Sequence, residues 1–192
     1  MPTLTVIVGS TRPGRAGQPI AEWFADRART HAGFDVEVAD LAQIGLPLLD
    51  EPNHPRLGQY IQQHTKDWSA LIDRADAVVF VTPEYNYGYP ASIKNAIDFL
   101  HREWRDKPVG FVSYGGVAAG TRAVQQLKQV VTTLRMVPVF DSVNIPFHTK
   151  LIADGKFHAN DVLDQAADTM LDELLRLESA LHQLHTPATQ PA

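Results

Sequence analysis

The chain predicts an α/β fold: a doubly wound parallel sheet with helices on both faces. Three observations carry that expectation. Strand-like and helix-like segments alternate along the 192 residues, a pattern that right-handed crossovers turn into a parallel sheet. Two strand-sized runs, Ala77–Val81 and Pro108–Ser113, are apolar almost throughout, as strands covered on both faces must be. Glycine- or proline-rich loops follow three of the strands, and the carboxyl ends of strands are where open α/β sheets bind ligands.

Thr3–Val8 is β-branched and stops at Gly9, so it reads as the first strand. Ile20, Phe24, Arg27 or Ala28, and His31 then mark one face of a first helix. Phe34–Ala39 reads as the second strand, followed by an irregular stretch around Pro47, Pro52 and Pro55. Leu57, Tyr60, Ile61, His64, Trp68, Leu71, Ile72 and Ala75 recur at helical spacing and predict the next helix, with His64 a hydrogen-bonded core residue on its apolar face. Ala77–Val81 and Pro108–Ser113 supply two buried strands, the first leading into a helix over Ser92–Trp104. Ala123 or Val124, Leu127, Val130 or Val131, and Leu134 line the helix after the second. Val137–Ile145 holds the last strand, and Pro138 places it at a sheet edge because it lacks a donor. Leu163, Ala167, Met170, Leu174, Leu177, Leu181 and Leu184 face inward on the final helix. Residues 1–185 form one domain, and 186–192, with two prolines and no pattern, read as a flexible tail.

Composition narrows the function classes. A 44% hydrophobic and 20% charged chain of this length sustains one proper core. A net charge of −5 without a basic tract argues against nonspecific nucleic-acid binding. There is no cysteine, which excludes disulfides, thiolate nucleophiles and iron–sulfur ligation and fits a reducing cytosol. The first residues lack the pattern of a signal peptide, and every apolar run is too short to span a membrane. The expectation is a soluble cytoplasmic protein.

The loop Gly9-Ser10-Thr11-Arg12-Pro13-Gly14-Arg15-Ala16-Gly17-Gln18-Pro19 joins strand one to helix one. Backbone amides at a helix N-terminus, hydroxyls from Ser10 and Thr11, and charge from Arg12 and Arg15 together suit a phosphate. Pro19 fits the first helical turn, where a missing N–H costs nothing. The ATP/GTP loop requires a lysine that this segment lacks. The dinucleotide fingerprint requires glycines spaced otherwise than 9, 14 and 17. A terminal phosphate remains. After the third strand, Pro83-Glu84-Tyr85-Asn86-Tyr87-Gly88-Tyr89-Pro90 is stiff, aromatic and rich in amides, suited to a flat ligand. The fourth strand ends in Ser113-Tyr114-Gly115-Gly116.

With these loops the chain resembles the NAD(P)H-dependent FMN reductase family of flavodoxin-like quinone and azo reductases. Gly9-Ser10-Thr11-Arg12 is similar to the family's phosphate loop. Pro83–Pro90 with Ser92-Ile93-Lys94-Asn95-Ala96-Ile97-Asp98 resembles its flavin-ring loop and helix, and Ser113–Gly116 stands where its third loop falls. Gln18 departs from the small hydroxyl or Asn of many relatives but can still donate. The resemblance implies a five-stranded sheet in the order 2-1-3-4-5, with FMN between strands one and three. It implies Ser10, Thr11, Arg12, Arg15 and Gln18 around the phosphate. Pro83, Glu84, Tyr85, Asn86 and Gly88 would border the isoalloxazine, and Ser113, Gly115 and Gly116 its pyrimidine edge, where a Cβ on either glycine would collide. It further implies a homodimer or homotetramer. On the Ser92–Trp104 helix, Ile93, Ile97, Leu100 and Trp104 form one apolar face and Ala96 and Phe99 a second, a pattern that calls for a second packing partner.

The implied activity is hydride transfer from NADPH or NADH through FMN to a quinone, azo dye, free flavin or metal oxyanion. No second nucleotide motif is visible, so one shared face used alternately predicts ping-pong kinetics. The hydride step requires no acid, base or nucleophile of the protein, and none is assigned. An FMN electron carrier without its own NAD(P)H oxidation is the competing class, and a flavin-free structural protein the third. His182 and His185 with Glu178 read as an exposed helix end rather than a metal clasp, and Asp73 and Asp76 as solvated termini without a third carboxylate nearby. Arg102, Arg105 and Lys107 read either as a solvated basic helix end or as contacts for a nicotinamide nucleotide phosphate.

Overall fold

A computed structural model describes residues 1–185; the expected tail at 186–192 lies outside the described residues. The sheet is built from β1 (Thr3–Val8), β2 (Asp35–Asp40), β3 (Ala77–Pro83), β4 (Pro108–Tyr114), β5 (Val137–Pro138) and β6 (Val143–Ile145). All pairings in it are parallel, in the order β2-β1-β3-β4-β5, with β6 also on β4. This is the flavodoxin-like arrangement expected. Every residue of β3 and β4 is buried, which explains their unbroken apolar runs.

The last strand is broken where one continuous strand was expected. Val137–Pro138 and Val143–Ile145 each pair with β4, while the chain between them swings out and leaves Phe140 89% exposed. Pro138 indeed stands in the edge strand of the sheet, where a missing donor is tolerated.

Helices α1 (Gly17–His31) and α6 (Asp161–His185) cover one face, burying Ile20, Phe24, Ala28, Leu163, Met170 and Leu174. His31 is not part of that core but meets Asp172 of α6 at 2.9 Å. On α6 the apolar face fades after Leu174: Leu177 and Leu181 are half-buried and Leu184 is exposed. At 25 residues and about 1.5 Å rise each, the helix outruns strands of about 20 Å.

The other face carries α2 (Leu41–Ile44), α3 (Gln63–Asp73), α4 (Ala91–Asp98) and α5 (Thr121–Thr133). Helix α3 starts six residues later than the periodicity from Leu57 predicts. Gly58 closes a short 3-10 turn in the left-handed region, and the Glu51 carboxylate accepts the Ile61 and Gln62 N–H groups, each at 2.9 Å. Leu57 and Ile61 are therefore exposed. His64 is only half-buried, pairing with Asp50 at 2.9 Å and edge-on to Phe99.

Helix α4 ends at Asp98, and a 3-10 turn at Arg102–Trp104 folds the segment back. All six apolar residues of the two expected faces, Ile93, Ala96, Ile97, Phe99, Leu100 and Trp104, are buried inside the chain. Trp68 and Trp104 donate their indole N–H groups to the Ala96 and Ile97 carbonyls. The second face is thus satisfied by the chain's own neighbours and calls for no partner subunit.

Candidate functional site

The strand order reverses between β1 and β3, and a cleft of about 560 Å³ opens there at the carboxyl ends of β1, β3 and β4. Its first wall is the β1–α1 loop. Helix α1 begins at Gly17 with no side-chain cap and no acidic residue in its first turn. Its free N–H groups and positive dipole end thus face the loop without a partner of the protein's own. Arg12 is exposed and lines the cleft. Arg15 also lines it, but its guanidinium is held by Asp40, which additionally caps α2 through the Ala42 N–H. Ser10 is fully buried, its hydroxyl 2.7 Å from the Tyr85 hydroxyl. Thr11 turns into a neighbouring cavity beside Leu41 and Ser92, and Gln18 bonds Glu22 along the exposed side of α1.

The second wall is the loop after β3. Tyr85 and Gly88 exchange both backbone hydrogen bonds, at 2.8 and 2.9 Å, around a two-residue turn with Asn86 and Tyr87 at φ 50° and 73°. The positive φ suits Asn86 and strains Tyr87, as happens where a site over-determines the backbone. Amides of Tyr85 and Gly88 are consequently engaged with each other. The Glu84 carboxylate points away to α5, where it pairs with the Arg122 guanidinium and accepts the Arg122 N–H at 3.2 Å. Arg122 also stacks on the Tyr87 ring, 3.6 Å from its centroid. The three tyrosines separate: Tyr85 lines the cleft, Tyr87 sits exposed at the hairpin tip, and Tyr89 packs on the core.

The third wall is the loop after β4. Gly115 lines the cleft, and a Cβ there would lie 3.1 Å from the Gly120 nitrogen, so the loop's own turn crowds it. A Cβ on Gly116 would meet no atom of the protein within 4 Å, so only a bound ligand could crowd that position. Ser113 is not brought to the cleft: it is fully buried, donating to the Ala119 carbonyl at 2.8 Å beside Asn144.

The structure adds residues that the sequence reading missed. Tyr114 lines the cleft with its hydroxyl buried and without a hydrogen-bond partner. Burial, reinforced by Tyr85, pushes its phenol well above the ordinary value, against the opposing influence of Ser10, Arg15 and Arg12. The Arg15 Nε is likewise buried and unpartnered. His148, Thr149, Ile152 and Gly155 close the remaining side. They belong to a 3-10 turn at His148–Leu151 and a hairpin of β7 (Ile152–Ala153) and β8 (Lys156–Phe157). Asp154-Gly155 between two short strands was the available signal.

Two other expectations change. Lys107 is buried and donates to the Ile72 and Asp73 carbonyls at the far end of the sheet. Lys107 thus precedes the start of β4, about 20 Å from the cleft at that strand's other end, and none of Arg102, Arg105 and Lys107 lines that cleft. Asp76 is not isolated: its carboxylate accepts the Thr3 N–H at 2.7 Å and lies with Glu178 and His182, ligand atoms all within 4.8 Å of one another. The His185 side chain lies outside the described residues.

An uncapped helix start, an exposed arginine and two orphaned buried donors facing one cleft at the switch point define a flavodoxin-like mononucleotide-binding protein. The chain belongs to the NADPH-dependent FMN reductase family, whose model matches residues 2–150. It is 44% identical over 149 residues to an NAD(P)H-dependent FMN reductase of Schizosaccharomyces pombe, covering 76% of this chain and 74% of that one. It is 28% identical over 160 residues to an FMN-dependent NADPH-azoreductase of Staphylococcus aureus, covering 81% and 84%. Its fold matches that of FerB, a flavoenzyme NAD(P)H:(acceptor) oxidoreductase of Paracoccus denitrificans, with a TM-score of 0.75 at 24% identity over 94% of this chain and 98% of that one. The chain is an FMN-dependent NAD(P)H oxidoreductase. Among the described residues, no helix is long and apolar enough to cross a membrane.

Proposed function

We propose that FMN occupies the 560 Å³ cleft and that the enzyme passes reducing equivalents from NADPH or NADH to a small acceptor: a quinone, an azo dye, free flavin or a metal oxyanion. The observation that carries the assignment is the uncapped start of α1 with Arg12 exposed beside it and the Tyr114 hydroxyl unpartnered below. When bound, FMN supplies the two-electron relay that no side chain of this protein could perform.

The chain's own residues bind and orient. The amides at the start of α1, with Arg12, hold the phosphate; Arg15 does so while one of its terminal nitrogens stays paired with Asp40. Ser10 and Tyr85 tie the phosphate loop to the ring loop through their hydroxyls. Pro83, Glu84, Tyr85, Asn86 and Gly88 form one edge of the ring site and Gly115 and Gly116 the other. Thr11, Gln18 and Ser113 reach the cofactor only by rearrangement, since their side chains are directed elsewhere. With one open face serving both substrates, the kinetics are ping-pong. The absence of cysteine supports a cytoplasmic setting, and the resemblance supports assembly as a homodimer or homotetramer.

Purified protein tests this reading directly. A yellow FMN spectrum that bleaches anaerobically with NADPH or NADH is expected, and Arg12→Ala should weaken FMN retention. A yellow spectrum unchanged by either nucleotide would indicate an electron carrier instead. A colourless protein unable to take up FMN would overturn the proposal, as would intersecting double-reciprocal lines for its kinetic part.

A further inference from the structure

Gly115 and Gly116 lie between β4 and α5, where the Gly115 N–H donates to the Ile145 carbonyl at 3.2 Å, the Ala119 N–H donates to the Gly116 carbonyl at 3.1 Å, and Phe147 and His148 add two more donors. The Phe147 N–H reaches the Gly116 carbonyl at 3.2 Å, and His148 Nδ1 lies 3.0 Å from the Gly115 carbonyl. A carbonyl oxygen only accepts, so Nδ1 carries the proton in this contact. The imidazole is braced edge-on by Tyr114, their centroids 5.1 Å apart. Phe147 adopts φ 48°, a left-handed conformation that costs a non-glycine residue about 1 kcal/mol, and the Lys150 N–H closes the turn onto its carbonyl at 2.9 Å.

Pinning those carbonyls has a geometric consequence. The peptide unit is planar and trans, so its N–H points opposite to its C=O. Holding the Gly115 and Gly116 oxygens therefore sets the direction of the Gly116 and Val117 N–H groups. Both residues are exposed, and neither N–H finds an acceptor among the described residues. The loop presents two oriented donors and no charge.

We propose that His148 is a positioning residue for the flavin. Its hydrogen bond to the Gly115 carbonyl aims the Gly116 N–H at the electron-rich pyrimidine edge of the ring, beside the Val117 N–H that the bonds to the Gly116 carbonyl direct. This rests on the reading that FMN occupies the cleft. Donors aimed where negative charge accumulates on reduction stabilise the reduced cofactor more than the oxidised one. Loss of that aim weakens binding and shifts the midpoint potential to more negative values.

The experiment prepares apoprotein from the holoenzyme and titrates it with FMN, following flavin fluorescence, for His148→Ala, His148→Gln and His148→Asn. An asparagine amide nitrogen falls near the position of Nδ1, whereas a glutamine amide falls nearer Nε2. The Ala and Gln variants should raise the FMN dissociation constant about three- to ten-fold, the worth of one hydrogen bond, and shift the potential negative after reconstitution. The Asn variant should restore both. Wild-type affinity and potential in all three variants would overturn the proposal, and so would an Asn variant no better than Ala. If His148→Ala fails to fold, the contrast between Asn and Gln decides. Arg12→Ala separates the two levels: unchanged affinity there sinks the cleft assignment itself, while a loss there with unaffected His148 variants sinks only the positioning role.

Discussion

Replacing Gly17 by alanine inserts one carbon into the tightest contact beneath the phosphate loop. A Cβ at that position would lie 2.6 Å from Tyr114 Oη, but 3.5 Å from both Tyr114 Cζ and Val8 Cγ1. The whole clash is therefore with a single hydroxyl oxygen. That oxygen sits on a rigid ring, 3% exposed and packed against His148, so it has no soft way out. Overpacking of this kind costs about 1–3 kcal/mol. The alanine preference of helices, up to about 1 kcal/mol, recovers little of it at a first helical residue. A net loss of about 2 kcal/mol lowers Tm by roughly 4–8 °C in a chain of this size. FMN affinity should fall as well, because the displaced element is the start of α1. Tyr114→Phe removes the clashing atom. Since that hydroxyl has no partner in the apoprotein, its removal alone costs less than about 1 kcal/mol. In the double variant the new Cβ meets only ordinary 3.5 Å contacts, and most of the stability returns. Urea unfolding of the four proteins gives the coupling energy. A Gly17→Ala protein that melts with wild type, or one that Tyr114→Phe does not rescue, would refute the reasoning.

Glu103 is buried and accepts from Tyr60 Oη at 3.1 Å, Ser69 Oγ at 2.7 Å and the His101 N–H at 3.2 Å. Glu103→Leu removes both acceptor oxygens, leaves the Tyr60 and Ser69 hydroxyls and the His101 N–H without this partner, and should cost about 1–3 kcal/mol in urea unfolding; an unchanged midpoint would contradict the network. Burial lowers the Lys107 pKa to about 8, against the pull of Asp73, Asp76 and Glu103. Below pH 8 both folded and unfolded chains hold its proton and the full penalty applies. From pH 8 toward 10.5 only the unfolded chain holds it, so this residue makes stability rise with pH. Lys107→Met should abolish that rise, and parallel pH profiles for the two proteins would exclude the lysine as its source. Arg122→Ala leaves the Glu84 carboxylate without its guanidinium and Tyr87 without its stacked cation. A loss of stability is expected, with weaker FMN binding measured by titration; wild-type affinity would show that α5 does not steady the hairpin.

Much of the fold was legible because buried parallel strands leave an unmistakable record. Ala77–Val81 and Pro108–Ser113 could hardly be anything else once both faces had to be covered. Helix ends were less so, because they are decided by contacts remote in sequence. The start of α3 depends on the Glu51 carboxylate ten and eleven residues upstream of Ile61 and Gln62. Periodicity from Leu57 onward cannot register it. On α6 the leucine pattern continues to Leu184, but burial depends on there being a sheet beneath it.

The candidate site divides along a similar line. Loops that must supply amides, hydroxyls and a free arginine advertise themselves by composition, and Arg12, Tyr85 and Gly115 do meet at one cleft. What a side chain does inside such a loop depends on its nearest acceptor. Ser113 carries a hydroxyl at a promising position, yet the Ala119 carbonyl lies 2.8 Å away within the protein. Glu84 points at Arg122 for the same reason, a partner 38 residues distant. The Ser92–Trp104 segment makes the point for packing. Its six apolar residues look two-sided only if the helix runs straight to Trp104. Once it stops at Asp98 and the chain folds back, both sets turn inward against Trp68, Ile72 and Phe80. An apolar count along a helix is therefore evidence of assembly only after the helix's end is known, and in this chain that end removes the argument.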